Sequence, residues 1–97
     1  MKIAHWVRYV GEVETVLRLR PSHRAYMAEI LAQGRLFAAG PFEDGTGALF
    51  IYEVDDLAAA EAIVAADPYS TGGAVKDHEL KPWRVVSVAV ALARPSP

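Results

Sequence analysis

The pattern of apolar and polar positions along the chain predicts four strands. Residues 2–10 are rich in β-branched and aromatic side chains, as is typical of a strand. Residues 35–40 and 48–54 have the same character and flank a run of turn-forming residues, so we expect them to pair as a hairpin. A fourth strand is predicted over residues 79–92, and Pro82 near its start restricts that end to a sheet edge or a bulge.

A first helix is predicted over residues 23–33. Residues 11–21 form a connection that ends at a proline, Ser22 is a suitable N-terminal cap, and Gly34 is a suitable stop. Apolar side chains at helical spacing define its buried stripe, which consists of Tyr26, Met27, Ile30 and Leu31. Because His23 precedes this stripe by three and four positions, we expect it in the first turn, pointing toward the sheet.

A second helix is predicted over residues 57–67, with Asp55 or Asp56 as its cap. Its inward stripe consists of Leu57, Ala60, Ile63, Val64 and Asp67. The proline that follows Asp67 ends the helix because it has no N–H group to donate. We therefore expect Asp67 in the last turn, on the inward face, followed by a glycine-containing loop over residues 69–77.

The order of elements is strand, helix, strand, strand, helix, strand, which is the split βαβ, or ferredoxin-like, arrangement. We expect one α+β domain over residues 1–93 with an antiparallel sheet, followed by a flexible tail over residues 94–97. If the first strand runs upward, the start of the first helix, the hairpin and the end of the second helix all lie at the upper end. His23 and Asp67 are therefore predicted to meet at this rim, although 44 positions separate them.

These two residues have unfavourable predicted positions relative to the helix dipoles. A protonated histidine at a helix N-terminus and a carboxylate at a C-terminus are each disfavoured by roughly 0.3–1 kcal/mol. As a pair, Asp67 can accept the imidazole N–H of His23, fix its tautomer and make it a better base. Two interpretations follow: a general base for catalysis, or a hydrogen-bonded pair that merely ties one helix to the other.

The apolar content predicts an oligomer. Apolar residues make up 53% of the 97 positions, and the first, third and fourth strands carry them on both faces. Two helices can cover only one face of the sheet. Because a bare apolar sheet face is unusual for a soluble monomer, we expect two copies to pack sheet against sheet as a homodimer.

Charge and residue usage exclude several classes of protein. A net charge of −2 and a pI near 5.9 argue against a nucleic-acid partner and against an anionic membrane surface. The lack of cysteine excludes a disulfide framework and a thiolate nucleophile. The N-terminus does not have the layout of a signal peptide, and no apolar run approaches the length of a membrane span, so we expect a cytoplasmic protein.

Three further features are candidates for binding a small-molecule ligand. Arg20, just before the predicted first helix, can clamp a carboxylate or phenolate through its guanidinium, or can be a solvated surface residue. Tyr69 can donate a phenolic hydrogen bond into the cleft, or can pack as an aromatic residue of the rim. Gly40 and Pro41 are expected to shape the hairpin so that its backbone approaches the site.

Phe42 and Trp83 are expected to be cavity wall or core rather than a recognition platform. His5 and His78 lack a third ligand at recognisable spacing, so we expect neither a three-histidine metal site nor a cofactor. His78 is nevertheless predicted to lie near the start of the fourth strand, at the same rim as His23.

The residues discussed so far resemble those of a known family. The ordered set comprises Arg20-x-x-His23, Gly34-Arg35-Leu36, Ala39-Gly40-Pro41, Asp67-Pro68-Tyr69 followed by Gly73, and Lys81-Pro82-Trp83. No single piece is specific, but together they are similar to the YCII-related, or YciI-like, family over residues 2–86. The resemblance implies a ferredoxin-like domain that pairs into a dimeric α+β barrel, with an active site centred on His23 and Asp67.

The family resemblance also bears on the reaction. One branch of the family contains a dehydrochlorinase that acts on chlorinated hydroxyquinols, whereas most members have no assigned reaction. Many relatives have Ala-Gly where this chain has Gly72 and Gly73. The extra glycine predicts a looser loop after Tyr69.

Three functions are consistent with these expectations. The first is a cofactor-free enzyme of the lyase, dehydrochlorinase or isomerase type, in which His23 and Asp67 act as a general base on a small cyclic or phenolic substrate. The second is a non-catalytic small-molecule-binding or dimerisation module. The third, cofactor-free oxygenation of a polyketide-like phenol, rests on analogy of fold alone.

Overall fold

The computed structural model describes residues 1–89, which form a four-stranded antiparallel sheet and three helices. The strands are β1 (Lys2–Tyr9), β2 (Leu36–Pro41), β3 (Gly47–Glu53) and β4 (Val75–Trp83), in the spatial order β2-β3-β1-β4. The helices are α1 (Val13–Ala32), α2 (Leu57–Ala66) and α3 (Pro68–Thr71). This arrangement confirms the predicted α+β, ferredoxin-like fold and adds one short helix.

The hydrophobic core lies between one face of the sheet and the helices. Alternate side chains of the two central strands point into it, including Ile3 and Val7 on β1 and Phe50 and Tyr52 on β3. The helices contribute the most deeply buried apolar side chains of their inward faces, which are Ile30, Ala60 and Ile63. The inward face of the sheet is thus the wall against which the helical site residues pack.

Helix α1 begins at Val13, well before the predicted start, and continues through the proline of the predicted connection. The prediction that residues 11–21 form a connection was therefore wrong. Proline removes one helical hydrogen bond, but Val16, His23 and Ile30, spaced by seven, are all buried, so one helix face extends across it. His23 consequently lies in mid-helix, and the dipole penalty expected for a first turn does not apply to it.

Helix α2 ends at Ala66, and Asp67 links it to α3. The Asp67 carboxylate accepts a hydrogen bond from the backbone N–H of Tyr69 at 2.9 Å. Asp67 therefore stands at the C-terminus of α2, as predicted, but it is at the same time the N-cap of α3. The side chain caps the first turn of this next helix, where a negative charge is favoured.

Strand β4 runs from Val75 to Trp83, so the prediction of a strand over residues 79–92 was placed too late. Its partner is β1, and Trp83 pairs with Lys2, the first residue of that strand. No partner backbone remains beyond this pair among the described residues, which explains why the ladder ends there. The early start shortens the glycine loop predicted over residues 69–77, part of which belongs to α3.

Beyond β4, residues 84–89 belong to no strand, and the end of the predicted strand together with the predicted tail lies outside the described residues. Pro82 falls near the end of β4 rather than near its start. Because β4 is an edge strand, this proline still occupies the kind of position that its missing N–H requires.

The sheet face opposite the helices carries exposed apolar side chains. Leu49 lies between two core-facing neighbours on β3, so it points away from the helices, and it is 41% exposed. Trp83 pairs with Lys2, which alternates with the core residue Ile3, so Trp83 lies on the same outer face and is 46% exposed. The outer face is only partly apolar, because Asp77, Glu79 and Lys81 of β4 alternate onto it together with Arg8 of β1. The prediction that the fourth strand carries apolar residues on both faces was therefore wrong.

Candidate active site

Helix α1 holds His23 against the sheet near the middle of its length. The side chain is 8% exposed. Its imidazole meets the ring of Phe50 on β3 edge to face, with centroids 5.8 Å apart and planes at 81°. A residue inside a long helix has little backbone freedom, so packing against β3 determines where this imidazole lies.

Asp67 reaches the imidazole from the junction of α2 and α3. Its Oδ1 lies 2.8 Å and its Oδ2 3.1 Å from Nδ1 of His23. The expected proximity of the two side chains is therefore present in the structure, although His23 approaches from mid-helix rather than from a first turn. Because a carboxylate accepts hydrogen bonds and cannot donate them, Nδ1 carries the proton and donates it to Asp67.

The second ring nitrogen of His23, Nε2, faces accessible space. Within residues 1–89 it has no hydrogen-bond partner, and no fully buried polar side-chain atom of that range lacks one. Nε2 is therefore not fully buried, and His23 lines a cavity of about 560 Å³. With the proton on Nδ1, the lone pair of the imidazole is on Nε2.

Tyr69 covers one face of the His23 imidazole. The two rings are stacked, with centroids 3.8 Å apart and planes at 11°. Tyr69 is 4% exposed and is held from behind by Tyr9, whose ring meets it edge to face at 5.5 Å. The imidazole is thus fixed by a carboxylate at one nitrogen, a stacked aromatic ring on one face and Phe50 beside it.

The cavity lies between α1 and the β2–β3 hairpin. Its wall is mainly apolar and includes Val13, Val16, Met27 and Leu31 from the helix, and Leu36, Ala48 and Phe50 from the strands. Its volume is in the range of small-molecule sites, which combine an apolar wall with a few convergent polar groups. The polar groups here come from His23, two arginines and two tyrosines.

The structure brings most of the residues selected from the sequence to this cavity. Arg20, His23, Gly40, Pro41 and Tyr69 line it, and Asp67 contacts His23 from behind. The sequence therefore selected residues that the fold brings together, although it assigned the boundary of the first helix incorrectly.

Phe42 and Trp83 do not line the cavity in a single chain. Phe42 is half-buried in the hairpin turn, where its backbone N–H donates to the carbonyl of Gly47 at 2.9 Å. Trp83 pairs with Lys2, at the opposite end of β1 from Tyr9. Neither residue lines the cavity or belongs to the buried core of the chain, so the structure of one chain places them in neither of the two expected positions.

Two cavity residues, Arg24 and Tyr9, were missed by the sequence analysis. Arg24 lies one helical turn after Arg20, a signal that only becomes visible once α1 is known to extend through both. Burial raises the pKa of Tyr9 to about 12, and the neighbouring Tyr69 adds to this, while the Arg20 guanidinium partly opposes it. Tyr9 therefore keeps its proton and can donate a hydrogen bond into the cavity.

His5 and His78 lie outside this cavity, on β1 and β4. Nε2 of His5 is 3.0 Å from Nδ1 of His78, so the two imidazoles are hydrogen-bonded to each other. Among residues 1–89 no group of three or more histidine, cysteine, aspartate or glutamate side chains is arranged to hold a metal ion.

Gly72 follows α3 and packs closely on α1. A Cβ atom at this position would overlap the Leu19 side chain and would lie 2.8 Å from the carbonyl oxygen of Pro68. From the sequence, the additional glycine was predicted to loosen the loop. The structure shows the opposite, because the missing side chain lets the end of α3 approach α1.

The fold and the site together define a class of small α+β proteins with a buried histidine–aspartate pair facing a cavity. The chain belongs to the YCII-related domain family, whose family model matches residues 1–84. It is 34% identical to protein YciI of Escherichia coli over 84 residues, which is 76% of this chain and 86% of YciI. It is also 33% identical over 63 residues to the uncharacterised protein YjpA of Bacillus subtilis, covering 65% of this chain and 73% of YjpA.

A solved structure with a similar fold is 5-chloro-2-hydroxyhydroquinone dehydrochlorinase from Burkholderia phenoliruptrix in complex with 2,5-dihydroxybenzoquinone. The TM-score is 0.78, and the match covers 87% of this chain and 94% of the dehydrochlorinase chain. At 19% sequence identity, this similarity concerns the fold.

Proposed function

We propose that this protein is a small enzyme that uses His23 as a general base, oriented by Asp67, on a small cyclic or phenolic substrate. The observation that carries this proposal is that the two nitrogens of the His23 imidazole have different surroundings. A buried carboxylate holds Nδ1, while His23 itself lines a cavity of small-molecule size. A carboxylate-oriented imidazole with its second nitrogen open to a cavity is the usual arrangement of a histidine general base.

In the proposed reaction, Nε2 of His23 takes a proton from a carbon or hydroxyl group of the substrate. The electron pair left behind forms a new π bond as a leaving group such as chloride departs, which is an elimination. In an isomerisation, the proton returns to a different atom of the substrate. The resulting imidazolium is stabilised by the Asp67 carboxylate and by the stacked face of Tyr69.

The remaining site residues are proposed to position the substrate. Arg20 would bind an anionic substituent, Tyr69 would cover the base, and Gly40 with Pro41 would shape the wall at the hairpin. The structural relative that binds 2,5-dihydroxybenzoquinone supports a substrate with a flat oxygenated ring. Phe42 and Trp83 do not line the cavity of their own chain. In this proposal they contact the substrate only if a second copy of the chain places them at the cavity.

The test is turnover by purified wild-type and His23→Gln proteins on a panel of chlorinated hydroxyquinols and lactones. We expect the variant to lose roughly 10²–10⁴-fold in rate, the usual contribution of a general base. His78→Gln is the matched control, because this histidine lies outside the cavity. Turnover retained by a well-folded His23→Gln protein would contradict the role of general base.

A second function, a non-catalytic small-molecule-binding or dimerisation module, is favoured by one observation. Asp67 Oδ1 serves both the His23 imidazole and the Tyr69 N–H, so the pair joins α1 to α3 whether or not it is catalytic. In this case His23→Gln would lower the melting temperature, and ligand binding would persist without any turnover to lose.

A homodimer through the outer sheet face is part of the proposal. Leu49 and Trp83 on that face are exposed, and Val86, which follows β4, is 85% exposed. A second copy packed sheet to sheet would remove these side chains from water. No described helix is long and apolar enough to cross a membrane. A cytoplasmic location, with neither nucleic acid nor membrane as a partner, remains a prediction.

A further inference from the structure

The charge on the cavity wall has one sign. Among the described residues that line the cavity, the charged side chains are Arg20 and Arg24, and no carboxylate lines it. The nearest acid, Asp67, is engaged behind His23 by the imidazole and by the Tyr69 N–H. A ligand in this cavity therefore meets two guanidinium groups and no opposing negative group on the wall itself.

The two arginines are placed at a cost to the helix and have no internal ion-pair partner. They are four positions apart on α1, where like charges repel each other across one helical turn. The positions three and four residues before and after each contain no aspartate or glutamate. The ion pairs found within residues 1–89 involve neither of them.

Arg18, on the same helix, shows the ordinary surface arrangement by contrast. It follows Glu14 by four positions, which is the favourable order for a helical charge pair, and it does not line the cavity. Arg18 makes no ion pair within residues 1–89 either, but it has an acid one helical turn away, whereas the two arginines at the cavity have none at that spacing.

We propose that Arg20 and Arg24 form an anion clamp at the cavity, so that the substrate carries a carboxylate or an ionised phenol or enol. Guanidinium groups match such oxygens in a planar, bidentate geometry. The Tyr9 hydroxyl, also on the wall, adds a neutral hydrogen-bond donor to the same group. As a statement about the substrate of His23 this rests on the proposed function, whereas anion binding itself does not depend on it.

The clamp also fits the chemistry of proton removal. When a base takes a proton from a ring that bears an oxygen anion, negative charge builds up on the ring oxygens in the transition state. Two guanidinium groups beside those oxygens stabilise that developing charge electrostatically. Arg24, which the sequence analysis did not select, thereby becomes a residue that determines substrate class.

The test measures binding of matched charged and neutral probes by isothermal titration calorimetry at pH 7 in low salt. One pair is 2,5-dihydroxybenzoquinone, which is ionised at this pH, and uncharged 2,5-dimethoxy-1,4-benzoquinone. The second pair is benzoate and benzamide. We expect at least one anion to bind the wild-type protein about tenfold or more tightly than its neutral counterpart, and we expect added salt to weaken it.

The variants assign this preference to the clamp. Arg20→Gln and Arg24→Gln should each weaken anion binding roughly tenfold, as expected on losing one charge-assisted contact, and should leave neutral probes unchanged. Arg18→Gln is the matched control on the same helix and should bind the anion within about twofold of wild type. Equal affinity for anion and neutral probe, undiminished binding by both cavity variants, or no anion binding at millimolar concentration would overturn the clamp.

A further variant separates failure of the clamp from failure of the proposed function. His23→Gln should retain anion binding because both arginines remain. If it keeps both turnover and anion binding while the arginine variants lose the anion, the general base is wrong and the clamp stands. If His23→Gln loses turnover while the arginine variants bind anions normally, the general base stands and the clamp is wrong.

Discussion

The hydroxyl of Tyr52 donates its proton to Nδ1 of His5, 2.9 Å away, in the core of the protein. Tyr52 is fully buried, and within residues 1–89 its hydroxyl has His5 as its hydrogen-bond partner. Because a buried hydroxyl needs an acceptor for its proton, we assign Tyr52 as the donor. Nδ1 of His5 is then an acceptor, and its Nε2–H donates to Nδ1 of His78. Burial also raises the pKa of Tyr52 well above its ordinary value, which keeps the phenolic proton in place.

This hydrogen-bond chain predicts a loss of stability in mild acid. The pKa of His5 is lowered from 6.5 to about 4, mainly by burial and then by the nearby His78, while Asp67 partly opposes the shift. Between pH 6.5 and about pH 4 the unfolded chain binds a proton at His5, whereas the native protein does not. The contribution of His5 is therefore fully present above pH 6.5 and is lost as the pH falls toward 4, by roughly 2–3 kcal/mol.

Urea unfolding of wild type and His5→Gln at pH 7.5, 6, 5 and 4 measures this effect. Glutamine can still accept from Tyr52 and donate to His78, but it does not titrate. We expect the variant to lose less stability than wild type between about pH 6.5 and 4, with other titrating groups common to both. Parallel pH profiles for the two proteins would show that His5 contributes nothing to the acid sensitivity.

The stack of Tyr69 on His23 predicts different results for two substitutions at one position. Tyr69→Phe keeps the ring and removes the hydroxyl, so the rate should remain close to wild type. Tyr69→Leu removes the aromatic ring that is stacked on the imidazolium. Such a cation–π contact contributes roughly 0.5–2 kcal/mol, so we expect kcat to fall about 2–30-fold. A Phe variant as slow as the Leu variant would assign the effect to the hydroxyl instead.

Asp67→Asn should damage rate more than fold. The asparagine side-chain oxygen can still accept from the Tyr69 N–H, so the cap of α3 is largely kept and we expect a loss of about 1–2 kcal/mol in unfolding free energy. The amide can also present an N–H to Nδ1 of His23, which favours the wrong tautomer and places the proton on Nε2. The rate should therefore fall by roughly 10²-fold or more. A variant with normal turnover would show that Asp67 is structural.

The outer sheet face predicts a dimer that a single charge disrupts. At micromolar concentration we expect the wild-type protein to sediment at twice the 10.5 kDa mass of one chain. Leu49→Lys places a charge in the middle of the exposed face and should shift the equilibrium to monomer. Glu14→Lys, on the exposed surface of α1, is the control and should remain dimeric. A wild-type protein that sediments as a single chain would remove the dimer from the proposal.

The order of elements and the proximity of His23 to Asp67 followed from the sequence because they depend on local pattern and on connectivity. The alternation in β1 and β3 assigns opposite faces of a strand, whatever packs on them. Topology then places both helices on one face of the sheet, which is why His23 and Asp67 could be paired across 44 positions although His23 lies in mid-helix and not in a first turn. These inferences hold even where individual helix boundaries are misplaced.

The tertiary structure decided what local signals could not. A proline at position 21 favours a helix break by roughly 3 kcal/mol, yet α1 continues because burial of Val16 on the same face as His23 offsets that cost. Asp67 looks misplaced at the end of one helix until the next helix, which it caps, is known. Arg24 becomes a cavity residue only when α1 spans it together with Arg20, because exposure to a shared cavity depends on packing between elements and not on spacing alone.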